Sequence, residues 1–181
     1  YNLDFLLAKY LPIISTSIKL KTNYNYSNYF NLVNSTNLRD NTSNVISNEL
    51  SIRTSFKSKI NFDNNFINIQ NTNKNSDSEK IINNSIINSF KIRYKANKKI
   101  FAVISSDYYI PDTNKKENDY LFLDANITFK PNNKYFEINL SAKNLLNKKL
   151  FSQIQTTDFS KNVFQNNLLS RYIFINFTYD F

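Results

Sequence analysis

The sequence contains no glycine, cysteine, histidine, methionine or tryptophan among its 181 residues. Without cysteine the chain has no disulfides, thiolate nucleophiles or Cys-based metal sites. Without histidine it lacks the usual general base, the Ser-His triads and the commonest metal ligand. The absence of glycine excludes phosphate-binding loops and dinucleotide fingerprints. We therefore predict that the protein is not an enzyme and has no catalytic residues, no cofactor and no bound metal.

The sequence also lacks any long apolar run. A transmembrane helix needs about eighteen consecutive apolar residues, and no such stretch is present. No charged segment followed by an apolar stretch marks a signal peptide. A membrane location would therefore require a closed β-barrel. The chain does not begin with Met and opens within an alternating run, so we interpret residues 1–181 as a fragment of a longer protein.

The chain carries a net charge of +9, from 23 basic and 14 acidic residues. The basic residues are spread along the whole chain instead of being clustered, so we expect no nucleic-acid binding. Two interpretations of this charge remain. The charge keeps water-facing surfaces and loops hydrated, or it attracts an anionic partner such as a lipid phosphate or an anionic ligand.

The dominant pattern is an alternation of apolar and polar residues with a period of two, which is typical of β-strands with one apolar face. In the first full segment, from Ile14 to Tyr26, Ile18 and Leu20 alternate with Lys19 and Lys21. Seven more segments follow, at residues 46–56, 60–66, 82–94, 100–110, 121–129, 136–143 and 173–181. Residues 1–8 are predicted to be the tail of a ninth strand that turns near Lys9 to Pro12.

Nearly every charged residue in these segments falls on the polar face; Arg171, before the last segment, is the exception. If the polar face lines a lumen, the candidate lumen-facing residues are Lys19, Lys21, Glu49, Arg53, Lys91, Arg93, Asp124, Glu137 and Lys143. Hydration of a water-facing wall is the simpler explanation of each single residue. The apolar face also carries five asparagines that hydrocarbon disfavours, namely Asn48, Asn64, Asn68, Asn84 and Asn88.

The predicted connections alternate between short and long. The short ones are residues 57–59, 95–99 and 130–134, and the long ones are about 34–44, 71–79, 111–119 and 156–166. Such alternation is typical of up-and-down transmembrane barrels, which have tight periplasmic turns and long extracellular loops. We therefore predict an all-β fold. It is an antiparallel up-and-down meander of about eight strands, forming a transmembrane β-barrel or an open curved part of a larger barrel wall.

Aromatic residues concentrate toward the two ends of the predicted strands. One group comprises Phe56, Tyr94, Phe129, Tyr135, Phe136, Tyr179 and Phe181, and the other comprises Tyr24, Tyr26, Tyr108, Tyr109, Tyr120 and Tyr172. Two aromatic girdles that flank an aliphatic band indicate a barrel in lipid. The general preference of Tyr and Phe for strands is the simpler explanation of their number.

Two segments carry a family resemblance. Residues 138–149, with Asn144-Leu145-Leu146-Asn147 followed by Phe151, resemble the penultimate strand of TonB-dependent receptors. Residues 169–181 resemble the final strand of those receptors and close on a C-terminal Phe. The other strands are similar in pattern to the Bacteroidetes-type outer-membrane β-barrel family. The resemblance implies that residues 1–181 are the C-terminal part of an outer-membrane β-barrel domain, whose upstream strands and any plug domain lie outside this chain.

The resemblance also implies partners and a location. In the family, the C-terminal strand is recognised by the barrel-assembly machinery, so Phe181, Tyr179, Phe177 and Ile175 are the candidate assembly signal. The remaining implied partners are outer-membrane lipid, an unidentified ligand, and TonB acting through an upstream region. The location would be the bacterial outer membrane.

The predicted function is that of an outer-membrane receptor or transporter, with TonB-dependent uptake of a ligand. The alternative is a structural or adhesive outer-membrane barrel without a transport role. A membrane-embedded hydrolase lacks a base to activate a hydroxyl. A soluble Asn-rich β-protein would leave its apolar strands without a partner and would tend to aggregate.

Overall fold

The computed structural model of the protein describes residues 1–32, 38–75, 80–114, 119–131, 135–156 and 160–179. The chain is all-β in these ranges, apart from one short 3-10 helix at Pro12–Ile14. The strands are β1 (Asn2–Leu11), β2 (Thr16–Asn31), β3 (Arg39–Thr54), β4 (Ile60–Asn75), β5 (Ile81–Lys95), β6 (Ile100–Ile110), β7 (Tyr120–Phe129), β8 (Phe136–Lys143), β9 (Leu150–Thr156), β10 (Lys161–Asn167) and β11 (Tyr172–Tyr179).

Nine of these strands form one antiparallel meander in the order β1-β2-β3-β4-β5-β6-β7-β8-β11, while β9 and β10 form a separate hairpin. The predicted meander is confirmed, including the ninth strand at the start of the chain. In the part of the chain that the structure describes, the sheet is open and has β1 and β11 as its edges. Both edge strands run toward the end of the sheet that carries the connections at 12–15, 55–59, 96–99 and 130–135, which we call the short-turn end. The opposite end is the loop end.

The register confirms the division of the strands into two faces. Leu7, Leu20, Leu50 and Phe66 lie opposite one another on successive strands, so their side chains share one face. The same phase continues through Ile92, Ile104, Ala125, Ala142 and Ile173. Because side chains alternate along a strand, one slipped pairing would have moved a whole apolar set to the polar face. No described pairing is slipped in this way.

The first four complete strands differ in length from the prediction. β2, β3 and β4 have 16 residues each and β5 has 15, so residues 39–44 and 71–75 are strand, not loop as predicted. Strand β2 starts at Thr16, not at Ile14. Of the predicted loop at 111–119, residues 111–114 and 119 lie outside the strands and residues 115–118 are not among the described residues. The predicted loop at 156–166 contains most of β10. These extensions are rich in Asn, which is depleted in strands, and cross-strand pairing forms them despite that preference.

Successive strands are staggered. One row of cross-strand neighbours runs through Tyr10, Ser17, Arg53, Asp63, Lys91, Ser105 and Asp124. Tyr10 is one residue from the end of β1, whereas Asp124 is five residues from the end of β7. The row is therefore offset by four residues, roughly 14 Å along the strands, over six strand spacings, roughly 29 Å across the sheet. This offset corresponds to a strand tilt of about 25°. The strands of closed barrels are also tilted, typically by 35–45°.

The connection after β8 is built by two asparagines in the left-handed region, Asn144 (φ 51°) and Asn147 (φ 54°). The Asn144 amide group donates to the carbonyl oxygens of Lys148 (2.7 Å) and Leu169 (2.8 Å) and accepts from the Lys148 N–H (2.9 Å). The Asn147 side chain accepts from the Arg171 N–H at 3.1 Å. In a chain without glycine, Asn supplies these conformations and joins the exit of β8 to the entry of β11.

The sheet is a single layer with almost no apolar core. Among the described residues, the buried apolar side chains are Tyr120 on β7 and Pro111, which directly follows β6. The apolar face is exposed from strand to strand, as Ile104 (49%), Ile127 (46%) and Phe177 (63%) illustrate. Sheets of water-soluble domains normally bury their apolar face against a second layer. No second layer covers this face among the described elements.

Candidate functional site

All nine charged residues that were predicted to face a lumen lie on the polar face of the sheet. Lys21 lies opposite Glu49, Arg53 opposite Asp63, and Asp63 opposite Lys91. The other nominated residues, Lys19, Arg93, Asp124, Glu137 and Lys143, have the same strand phase. That they share one face follows from the register, while a lumen in front of that face stays a prediction.

A shallow depression of about 620 Å³ lies on this face across β2 to β5. It is lined by Ser17, Lys19, Glu49, Ser51, Ile52, Arg53, Asp63, Asn64, Asn65, Ser89 and Lys91. Its shape follows from side-chain size, because serines alternate with long charged side chains along and across the strands. The serines form a low floor, and the charged side chains form the rim.

An Arg-Asp-Arg bridge lies at the rim of this depression. The Oδ1 atom of Asp63 accepts from Nε of Arg53 at 3.1 Å and from Nη2 of Arg93 at 2.9 Å. The Arg93 guanidinium also donates to the Thr54 carbonyl at 3.4 Å. The bridge joins β3, β4 and β5, and the Arg53 side chain remains 73% exposed. Because of that exposure we expect the bridge to contribute little to stability.

Farther along the sheet, three more of the predicted lumen-facing residues form ion pairs within the chain. Lys143 donates to Asp124 at 2.7 Å, and the second oxygen of Asp124 accepts from the Asn144 N–H at 2.9 Å. Glu137 pairs with Lys130 beside the short turn at 2.7 Å. These contacts indicate that Asp124, Lys143 and Glu137 support the sheet and its connections.

The polar face between β7 and β8 carries a network of neutral side chains as well. The Asn126 amide donates to Asn139 Oδ1 at 2.6 Å and to the Ser141 hydroxyl at 2.7 Å. Asn139 in turn donates to the Thr128 hydroxyl at 3.3 Å. Such a network lowers the free-energy cost of burying polar groups, because each buried donor and acceptor keeps a partner.

The β9–β10 hairpin places one aromatic side chain on the polar face, a feature that the sequence interpretation missed. The ring of Phe151 lies 5.1 Å from Tyr120, 5.4 Å from Tyr109 and 5.8 Å from Phe122, measured between centroids. This aromatic cluster accounts for the burial of Tyr120. Tyr109 and Tyr120 therefore do not belong to an aromatic girdle on the apolar face, and Tyr172 is also on the polar face, opposite Lys143. That part of the predicted girdle is wrong.

The candidate assembly signal lies on the last strand of the sheet. Ile175, Phe177 and Tyr179 share the apolar face of β11, opposite Leu140, Ile138 and Phe136 on β8. Phe177 stacks on Phe136 with ring centroids 6.2 Å apart. All three side chains of the signal are exposed. Phe181 lies outside the described residues.

Two further findings concern the described residues. They contain no group of three or more Asp, Glu, His or Cys side chains arranged to hold a metal ion. Among them there is also no helix with the length and apolar character needed to span a membrane.

Comparisons with protein-family models, with curated proteins and with solved structures find no match to this chain. The resemblance to TonB-dependent receptors therefore stays a prediction that rests on residues 138–149 and 169–181.

Proposed function

We propose that this chain forms part of the wall of a β-barrel in the bacterial outer membrane, in a receptor or transporter. The observation that carries the proposal is the exposed apolar face of the nine-stranded sheet, opposite a face of charged and polar side chains. Exposed apolar patches of a few hundred Å² already indicate interaction surfaces in soluble proteins. An apolar face of nine strands needs a hydrocarbon environment or an extensive partner.

The strand lengths suit a membrane crossing. β6 and β7 have 11 and 10 residues, and a tilted strand needs about 9–11 residues to cross a bilayer. The longer strands β2 to β5 extend toward the loop end. The apolar-phase positions of β3 and β4 become polar there, as with Thr42, Gln70 and Thr72, whereas β2 and β5 keep Phe30 and Ile82. On β3 and β4 the apolar band is therefore of limited height, which supports the proposal.

The asparagines on the apolar face also fit this environment better than their sequence suggested. The amide of Asn64 donates to Asn88 at 2.8 Å, and that of Asn68 donates to Asn84 at 2.8 Å. The Thr22 hydroxyl donates to Asn48 at 2.9 Å. All five asparagines therefore have a side-chain partner, which lowers the cost of removing them from water.

TonB-dependent uptake is the finer form of the proposal, and its support is the resemblance alone. The structure adds a physical reason for the motif, because Asn144 and Asn147 use their side chains to hold β11 beside β8. The second candidate is a structural or adhesive outer-membrane barrel. Its supporting observation is that five of the nine nominated charged residues already have ion-pair partners within the chain.

The test is refolding of the natural full-length protein with and without detergent or outer-membrane-like lipid. Circular dichroism and gel mobility before and after boiling are the readouts. We expect a β-rich species whose mobility changes on boiling, and only when amphiphile is present. A β-rich monomer that is soluble in plain buffer would refute the membrane location. Solute flux into proteoliposomes then separates transport from a structural role, since a structural barrel gives no flux above that of empty vesicles.

A further inference from the structure

The depression on the polar face has an excess of cations. Lys19, Arg53 and Lys91 lie in it, and Arg93 is attached to it through Asp63, whereas its acidic groups are Glu49 and Asp63. Four cations therefore face two carboxylates. Within the described residues, neither Lys19 nor Lys91 forms an ion pair, although Lys91 lies directly opposite Asp63 in the register.

We propose that this depression binds a soluble oxyanion with two or more negative charges, through Arg53, Arg93, Lys19 and Lys91. The proposal deepens the proposed function and rests on it, because it assigns a ligand class to the water-facing side of the wall. Any soluble phosphate or carboxylate compound with two or more negative charges belongs to this ligand class.

The Arg-Asp-Arg bridge organises the cationic part of the depression. Both guanidinium nitrogens contact the same carboxylate oxygen, so they lie no farther apart than the sum of 3.1 and 2.9 Å, about 6 Å. Asp63 neutralises one of the two charges and holds both planar groups in place. Guanidinium groups held in this way still have free N–H donors, which suit the paired oxygens of phosphates and carboxylates.

The floor of the depression adds neutral donors. Ser17 lies opposite Arg53, and Ser89 lies opposite Asn65, so both hydroxyls are on the same face as the cations. The hydroxyl of Ser51 is committed to Asn65 at 2.7 Å and approaches Glu49 at 3.2 Å. Glu49 therefore lies on the side of the depression away from the bridge, where its charge opposes anion binding.

The experiment uses the natural full-length protein refolded in detergent, with pyrophosphate as the probe and calorimetric titration as the readout. We expect saturable binding that weakens as NaCl is raised, because salt screens the interaction. The variant Lys19→Gln/Lys91→Gln is expected to raise Kd at least tenfold. The matched control Lys98→Gln/Lys99→Gln removes the same charge from the turn at 96–99 and is expected to leave Kd within twofold. Glu49→Gln is expected to lower Kd.

Three outcomes would overturn the inference. These are absence of saturable pyrophosphate binding, equal weakening in the test and control variants, and binding to phosphatidylglycerol vesicles without binding to soluble pyrophosphate. The last outcome would assign the cations to lipid headgroups. Boiling-dependent gel mobility of the unsubstituted protein and of each variant is measured in parallel. Failure of the unsubstituted protein to fold in amphiphile counts against the proposed function, whereas a comparison of Kd between folded proteins tests the oxyanion site.

Discussion

Asn144 offers a sharp test of how a chain without glycine builds its connections. Its side chain makes three hydrogen bonds to backbone groups, two to Lys148 and one to Leu169, while its own backbone is left-handed at φ 51°. Substitution by Ala removes the hydrogen bonds and places a methyl group in a disfavoured conformation. Substitution by Gly removes the same hydrogen bonds but tolerates the conformation.

The magnitudes follow from these two contributions. The site is partly exposed, so each hydrogen bond is expected to contribute about 0.5–1 kcal/mol to the free energy of unfolding, or about 1.5–3 kcal/mol together. The left-handed backbone adds about 1 kcal/mol against Ala relative to Gly. We therefore expect Asn144→Ala to lower the free energy of unfolding by about 2.5–4 kcal/mol and Asn144→Gly by about 1.5–3 kcal/mol.

The assay is urea unfolding of the natural full-length protein in detergent, followed by circular dichroism. Asn162→Ala in β10 is the control, because Asn162 is an exposed strand residue. We expect this control to lie within about 0.5 kcal/mol of the unsubstituted protein. If Gly proves no more stable than Ala at position 144, the conformational argument is wrong. If both variants match the control, the side-chain hydrogen bonds contribute nothing to the stability of the sheet.

Three other substitutions test the packing of the two faces. Phe151→Ala removes the ring that covers Tyr120, so we expect hydrogen exchange in the β9–β10 hairpin to accelerate about 30-fold, with little change in β2 to β5, for a loss of about 2 kcal/mol. Asn64→Leu leaves the Asn88 amide without its partner and should cost about 1–2 kcal/mol in detergent, while adding Asn88→Leu should recover most of that loss in a double-mutant cycle. Asp63→Asn weakens both guanidinium contacts, yet we expect less than about 1 kcal/mol by urea unfolding, because the bridge is largely solvated; a larger loss would mean that the bridge is shielded from water.

The period-two pattern was sufficient to predict the meander and the two faces, but not the lengths of the connections, because residues 39–44 and 71–75 of the predicted long loops are strand. Local pattern succeeds there because one apolar face fixes the phase of every strand. The Asn-rich extensions of β3 and β4 were interpreted as loops, since only their long-range partners make them strands. The hairpin was missed for a similar reason. In the sequence, Phe151 cannot be distinguished from other aromatic residues in strands. Only the fold shows that Tyr109, Tyr120 and Phe122 surround it.

The candidate site was predictable only in part. Alternation placed Lys19, Arg53 and Lys91 on one face, but the sequence offered no sign that Arg53 and Arg93 share Asp63. That contact joins residues from three strands, and register decides it. Likewise, the pairing of Asn64 with Asn88 is diagonal across two strands, so no local spacing in the sequence indicated it.

Because β1 and β11 run in the same direction, they restrict the number of strands that a closed barrel containing this sheet can have. An antiparallel sheet can close into a cylinder with antiparallel pairing at the seam only if the two strands at its borders point in opposite directions. This requires an even number of strands. The described sheet has nine strands, so its borders are co-directional. Two copies of this sheet with the same orientation cannot close a cylinder either, because every pairing between their border strands would be parallel. An antiparallel cylinder that includes this sheet is therefore completed by an odd number of further strands, and those that join β1 and β11 have the polarity of β2.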